Sequence, residues 1–175
     1  QFTNQRPAED VHTPELTRQE YVRMLQTAKI LEDERAYVLT KLFATTGIAV
    51  LDLPAVTVEA VQTGHAVLKS GKKLEIVRFP ASLQADLLRY AREIGHPSGM
   101  IFTKKDGSAI ARTQVSLFIQ KLAQEAKVPA EKGNIRALRQ LYKTTISGIE
   151  ANFDLLVRQA YERQLETEQL SVGWE

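Results

Sequence analysis

Asn134-Ile135-Arg136-Ala137-Leu138-Arg139-Gln140-Leu141-Tyr142-Lys143-Thr144-Thr145 reads as a helix with two unlike sides. Ile135, Leu138, Tyr142, Ile146 and Ile149 follow one another at three- and four-residue steps, the spacing of a buried stripe. Arg136, Arg139, Gln140 and Lys143 fall on another side by the same arithmetic. Two guanidiniums one turn apart, with an ammonium one turn further on, form a cationic fork suited to a phosphate. A solvated basic face is the plainer reading of these residues, and the rest of the chain has to decide between the two.

At 175 residues with 43% hydrophobic side chains, the chain has the size and apolar content for one domain with its own core. No apolar run is long enough to span a membrane, and no signal-peptide pattern opens the chain. It starts with Gln1 rather than Met, so it reads as a piece of a longer protein. Cysteine is absent, which excludes disulfides and thiolate metal sites and is compatible with a cytoplasmic location. The net charge of +2 hides a segregated distribution. Residues 1–65 carry six basic and nine acidic side chains, residues 66–145 fifteen and six, and residues 146–175 two and six. All the excess positive charge therefore lies in the middle, which favours a polyanion such as nucleic acid as partner.

Outward from the basic helix, residues 1–13 are polar and aperiodic and read as a linker or arm, ahead of a single domain over 14–175. Thr17 and Glu20 form a capping box, with Tyr21, Met24, Leu25 and Ala28 as the buried stripe of a first helix. A second helix is expected over Glu32–Thr46, closed by Gly47 as its C-terminal cap. Leu51 to Val61 suggests a brief strand. Ala66-Val67-Leu68 and Leu74 to Phe79 flank Lys69-Ser70-Gly71-Lys72-Lys73, a hairpin signature. Pro80 opens a helix carrying Leu83, Leu87, Leu88, Ala91 and Ile94. Met100-Ile101-Phe102 reads as a short strand between turns. Val115, Phe118, Ile119, Leu122 and Ala126 mark a further helix that Pro129 breaks, and the basic helix follows. Phe153, Leu156, Val157, Ala160 and Tyr161 line a separate final helix to about Glu168. The fold class is mainly α with a small antiparallel sheet, an α+β domain. Ser70-Gly71-Lys72 lacks the upstream glycine of a phosphate-binding loop, and His12, His65 and His96 are too scattered for a zinc site.

In this order of elements the chain resembles the C-terminal catalytic domain of tyrosine recombinases, the phage-integrase family, and especially integrases of bacterial mobile elements. The resemblance runs from about Leu16 to Gln140. Ala44-Thr45-Thr46-Gly47-Ile48 looks like the helix end before the family's first catalytic arginine, and Lys69-Ser70-Gly71-Lys72-Lys73 through Pro80 looks like its lysine-bearing hairpin. Ser98-Gly99-Met100-Ile101-Phe102-Thr103-Lys104-Lys105-Asp106-Gly107 looks like its strand and turn, and Gln124 to Pro129 like the lead-in to its His-x-x-Arg box. The resemblance implies DNA breaking and rejoining through a phosphotyrosyl intermediate, without metal or other cofactor. It also implies DNA as partner, self-association on DNA by exchange of a C-terminal segment (here Leu170 to Trp174), and a DNA-binding domain preceding this one.

Carried over residue by residue, the resemblance implies Arg139 as the second phosphate-holding arginine and one hairpin lysine, Lys69, Lys72 or Lys73, as the acid that protonates the leaving hydroxyl. The turn length leaves the choice open, with Lys69 and Lys72 as the candidates for the acid. Tyr161 would be the nucleophile, on the helix after the basic one. Lys72, Lys73, Arg136, Arg139 and Lys143 would bind the DNA backbone. Several positions depart from the pattern: Ala49 stands where the first arginine belongs, Leu51-Asp52 where Ser-Glu is usual, Arg136 where the histidine belongs, and Gln140 where a second histidine is common. The Gly-His segment expected after the box is absent, His12, His65 and His96 all lying upstream. A guanidinium keeps the charge of a histidine but does not act as a general acid. The functions to weigh are a recombinase with an incomplete catalytic set, an inactive DNA-binding module of the same fold, and a helical protein-interaction domain.

Overall fold

The computed structural model describes residues 14–173, so the arm at 1–13 and the tail at Trp174 lie outside the described residues. The chain divides into two compact units, Gln1–Tyr142 and Lys143–Glu175.

In the first unit α1 spans Arg18–Ile30 and buries Tyr21, Met24 and Ala28. Its capping box is formed as expected, with Thr17 Oγ1 accepting from Glu20 N at 3.1 Å and Glu20 Oε1 from Thr17 N at 3.0 Å. Next comes α2, Glu34–Thr46, two residues shorter than expected because Asp33 caps it by accepting from Ala36 N. Ala36, Val38, Leu39, Thr40, Leu42 and Phe43 are all buried, so α2 is covered nearly all round, as a central helix must be. α1, together with α4 (Ala81–Glu93) and α5 (Arg112–Glu125), packs against it.

Two expected strands do not form, one before the hairpin and one after it. The valine-rich stretch at 51–61 is not a strand but a 3₁₀ helix, Val50–Ala55, followed by α3, Val58–Thr63. Local capping overrides β-propensity here: Thr57 Oγ1 accepts from Ala60 N at 3.0 Å and starts the helix. Met100 to Phe102 forms no ladder either, only the isolated bridge Thr57↔Met100, with a second, Thr103↔Ala109, just beyond it. Ile101 and Phe102 are instead buried core residues.

The hairpin is as expected, β1 His65–Ser70 and β2 Lys73–Arg78 in antiparallel register with Ser70 opposite Lys73. Its two-residue turn has Gly71 at φ 61, a left-handed conformation that suits glycine. Ala66 and Leu68 turn inward, while Val67 and Ile76, paired across the strands, are exposed. Pro80 precedes α4 as expected. α5 ends before Pro129 is reached, at the cap Ala126, with Lys127 left-handed at φ 57.

The largest correction concerns the end of the chain. The basic helix and the final helix are one continuous helix, α6, Ile135–Val172. Nothing between them breaks the backbone hydrogen bonding, since Gly148 alone costs a helix only about 1 kcal/mol. Ala137 and Leu138 are its buried residues. Ile146, Ile149, Phe153, Leu156, Val157 and Tyr161, expected on a buried stripe, are exposed.

Candidate nucleic-acid interface

The first turn of α6 is built by Asn134. Its Oδ1 accepts from Ala137 N at 2.8 Å, and its Nδ2 donates to the carbonyls of Ala130 and Glu131. The side chain thus ties the helix start to the loop before it. Leu138, fully buried, roots the turn in the core. The two guanidiniums of the expected fork take different surroundings from there. Arg136 is exposed and its Nη2 donates to Glu131 O at 3.5 Å. Arg139 is half-buried and its Nε donates to Gly47 O at 3.1 Å, across 92 residues of chain.

That contact brings together two stretches that the sequence only suggested were related. Gly47 ends α2 in the left-handed conformation, φ 68, with its N–H on Phe43 O. Thr46 Oγ1 donates to Leu42 O and accepts from Ile48 N, fixing the turn on either side. Ala49 follows in extended conformation and is half-buried. Arg139 is therefore held at the very turn where the resemblance expects another arginine, and a methyl group stands in its place.

The hairpin lysines Lys69, Lys72 and Lys73 are all exposed and make no ion pair among the described residues. Register separates them: Lys69, opposite Leu74, shares the outward face with Val67 and Ile76, Lys73 lies opposite Ser70, and Lys72 occupies the turn. In the second unit Lys143 is exposed, and so is Tyr161, at 60%. Tyr161 stands on α6 itself and not on a following helix. Of the other four tyrosines, Tyr21 and Tyr90 are buried, with burial raising both phenols, and Tyr37 and Tyr142 are half-buried.

Sequence reasoning missed the partnership of Arg139 with Gly47 and the packing of Tyr142 against the same glycine. The only signal for either was a glycine at a helix end, which capping already explains. Among the described residues no group of three or more His, Asp or Glu side chains is placed to hold a metal ion. No described helix is long and apolar enough to cross a membrane.

No protein-family model matches the chain. No curated protein matches it. Among solved structures, XerA recombinase superposes with a TM-score of 0.66 at 20% identity, over 78% of this chain and 50% of that one. XerH site-specific recombinase, in a pre-cleavage complex with difH substrate, gives 0.64 at 17% identity, over 81% and 44%. The Tn1549 transposon integrase, in complex with transposon right end DNA, gives 0.62 at 12% identity, over 78% and 54%. The chain spans about half the length of these recombinases. At such identities the likeness speaks for the fold alone, and the fold is that of the tyrosine-recombinase catalytic domain.

Proposed function

We propose that this chain is a DNA-binding domain of the tyrosine-recombinase type, from an integrase-like protein, that holds the DNA backbone without a full catalytic set. Arg139 is the main phosphate contact with Arg136 beside it, and Lys69, Lys72 and Lys73 reach the backbone from the hairpin on the same phosphate-facing surface. In the second unit Lys143 also contacts DNA backbone. The observation that carries this reading is the Arg139–Gly47 hydrogen bond, which sets a guanidinium beside the Gly47–Ala49 turn before any ligand arrives. The fold and the positive charge concentrated in residues 66–145 support it. Ala49 weighs against ordinary chemistry, since losing one preorganised charge stabiliser typically costs about 10²–10³ in rate.

A second reading keeps the chemistry, and the exposure of Tyr161 favours it. In that case the Tyr161 phenol loses its proton to water and its oxygen bonds to phosphorus as the bond to the sugar oxygen breaks. A hairpin lysine, Lys69 or Lys72, supplies that sugar oxygen with a proton. The phenol, of pKa about 10 unperturbed, needs nearby guanidiniums to stabilise its oxyanion as it forms. Copies of the chain associate on DNA in either reading.

A titration of duplex DNA followed by covalent trapping on a nicked duplex tests both. Binding that weakens steeply with salt, with no adduct, is the expected outcome. An adduct lost in Tyr161→Phe establishes the second reading instead. Affinity that does not change with salt removes the DNA backbone as partner.

A further inference from the structure

We infer that Tyr142 is a positioning residue for Arg139, acting through Gly47; this rests on the DNA reading above. A Cβ placed on Gly47 would lie 2.3 Å from Tyr142 Cδ1 and 2.9 Å from Cε1, so the ring occupies the space that any other residue's side chain would take. One turn earlier on the same helix, Arg139 Nε binds the carbonyl of the same glycine. Residues three apart lie about 60° apart around a helix, so Arg139, at the border of the stripe that holds Tyr142, reaches the same glycine. The ring on the α-carbon and the guanidinium on the oxygen therefore grip Gly47 together.

The consequence falls on the guanidinium. Its Nε is committed to Gly47 O, which fixes the plane of the group, while its two terminal nitrogens take no partner among the described residues. Those nitrogens form the edge that meets a phosphate in a two-point contact. An arginine side chain loses much rotamer freedom when it is ordered, and ordering it beforehand removes that loss from binding. The carbonyl that does the ordering belongs to a glycine, the residue whose backbone is least restrained. Thr46 holds the turn from one side by its bonds to Leu42 and Ile48, and the Tyr142 ring holds it from the other. The Tyr142 hydroxyl has no hydrogen-bond partner among the described residues, so the planar ring is the working part.

The test uses fluorescence anisotropy of this chain on a mixed-sequence duplex over a range of salt, with thermal unfolding run on every variant. Arg139→Ala should lower the salt slope by about 0.9, the loss of one phosphate contact. Tyr142→Ala should lower it by the same amount, Tyr142→Phe should leave it unchanged, and Arg139→Ala with Tyr142→Ala should lose no more than either alone. Gly47→Ala, which displaces the ring, should behave like Tyr142→Ala. Tyr142→Leu, apolar but not planar, replaces Tyr142→Ala if that variant does not fold. A reduced slope in Arg139→Ala beside a full slope in folded Tyr142→Ala or Tyr142→Leu overturns the positioning role alone. An unchanged slope in Arg139→Ala removes Arg139 from DNA contact and takes the underlying reading with it.

Discussion

At the scale of single residues, Gly47 meets two demands at once. Its φ of 68 is costly for any residue with a side chain, about 1–2 kcal/mol, and Tyr142 leaves no room for a Cβ. Gly71 is an internal control, because its φ of 61 imposes the same backbone cost but nothing stands within 4 Å of where a Cβ would go. Gly47→Ala should therefore lower the melting temperature clearly more than Gly71→Ala, and the difference isolates the ring contact. Equal losses would mean that Tyr142 moves aside freely. Ala49 gives the complementary experiment. Two residues from the carbonyl that Arg139 binds, Ala49→Arg should steepen the salt dependence of DNA binding by about 0.9, one added phosphate contact. A slope identical to the parent chain would place Ala49 away from the backbone.

At the scale of elements, α2 and α4 are joined by a partly buried ion pair. Lys41 Nζ donates to Asp86 Oδ2 at 2.5 Å and to Ser82 Oγ at 2.6 Å, and Arg89 Nη2 reaches Asp86 Oδ1 at 3.0 Å. Burial raises the Asp86 carboxyl, but the hydrogen bond and charge of Lys41, and then Arg89, outweigh it and hold the group below the usual carboxylate range. A carboxyl depressed in the folded state contributes stability above its unfolded pKa, about 3.9. That contribution fades as pH falls through the lower folded value. Asp86→Asn should thus lose about 2 kcal/mol at neutral pH and show a shallower loss of stability on acidification. Parallel acid limbs for the two proteins would show that Asp86 does not carry the effect.

These elements also mark what a sequence can disclose. The capping box at Thr17, the Gly47 cap and the hairpin turn at Gly71 were legible because each is written within a few neighbouring residues. The 3₁₀ and α3 segments were misread because valines suggest strands, while the Thr57 cap that decides the matter is one hydroxyl. Of the proposed site, the sequence displays only residue types, arginines and lysines in order. The Arg139–Gly47 contact was not, since it joins positions 92 residues apart that only packing brings together. Periodicity likewise showed that α6 has an apolar face without showing what, if anything, covers it.

At the scale of the molecule, that uncovered face is the feature left to account for. Ile149, Phe153, Leu156 and Tyr161 are each about three-fifths exposed, on a segment where acidic side chains outnumber basic ones six to two from residue 146 on. A helix with one apolar side gains most of its stability in a protein from packing that side, not from propensity. Contiguous exposed apolar surface of this kind marks an interaction site. The expected partner is a second copy, in keeping with the association on DNA proposed above. The acidic charge of this segment complements the positive charge concentrated in residues 66–145 of another molecule. Sedimentation velocity should show the sedimentation coefficient rising with protein concentration, and more so with duplex DNA present. Phe153→Glu with Leu156→Glu should abolish the rise while leaving the melting temperature unchanged, because both side chains are exposed. Raised salt should weaken the association as well, if opposite charges contribute to it. A chain that stays monomeric at all concentrations, with and without DNA, would leave the apolar face of α6 for a different protein to cover.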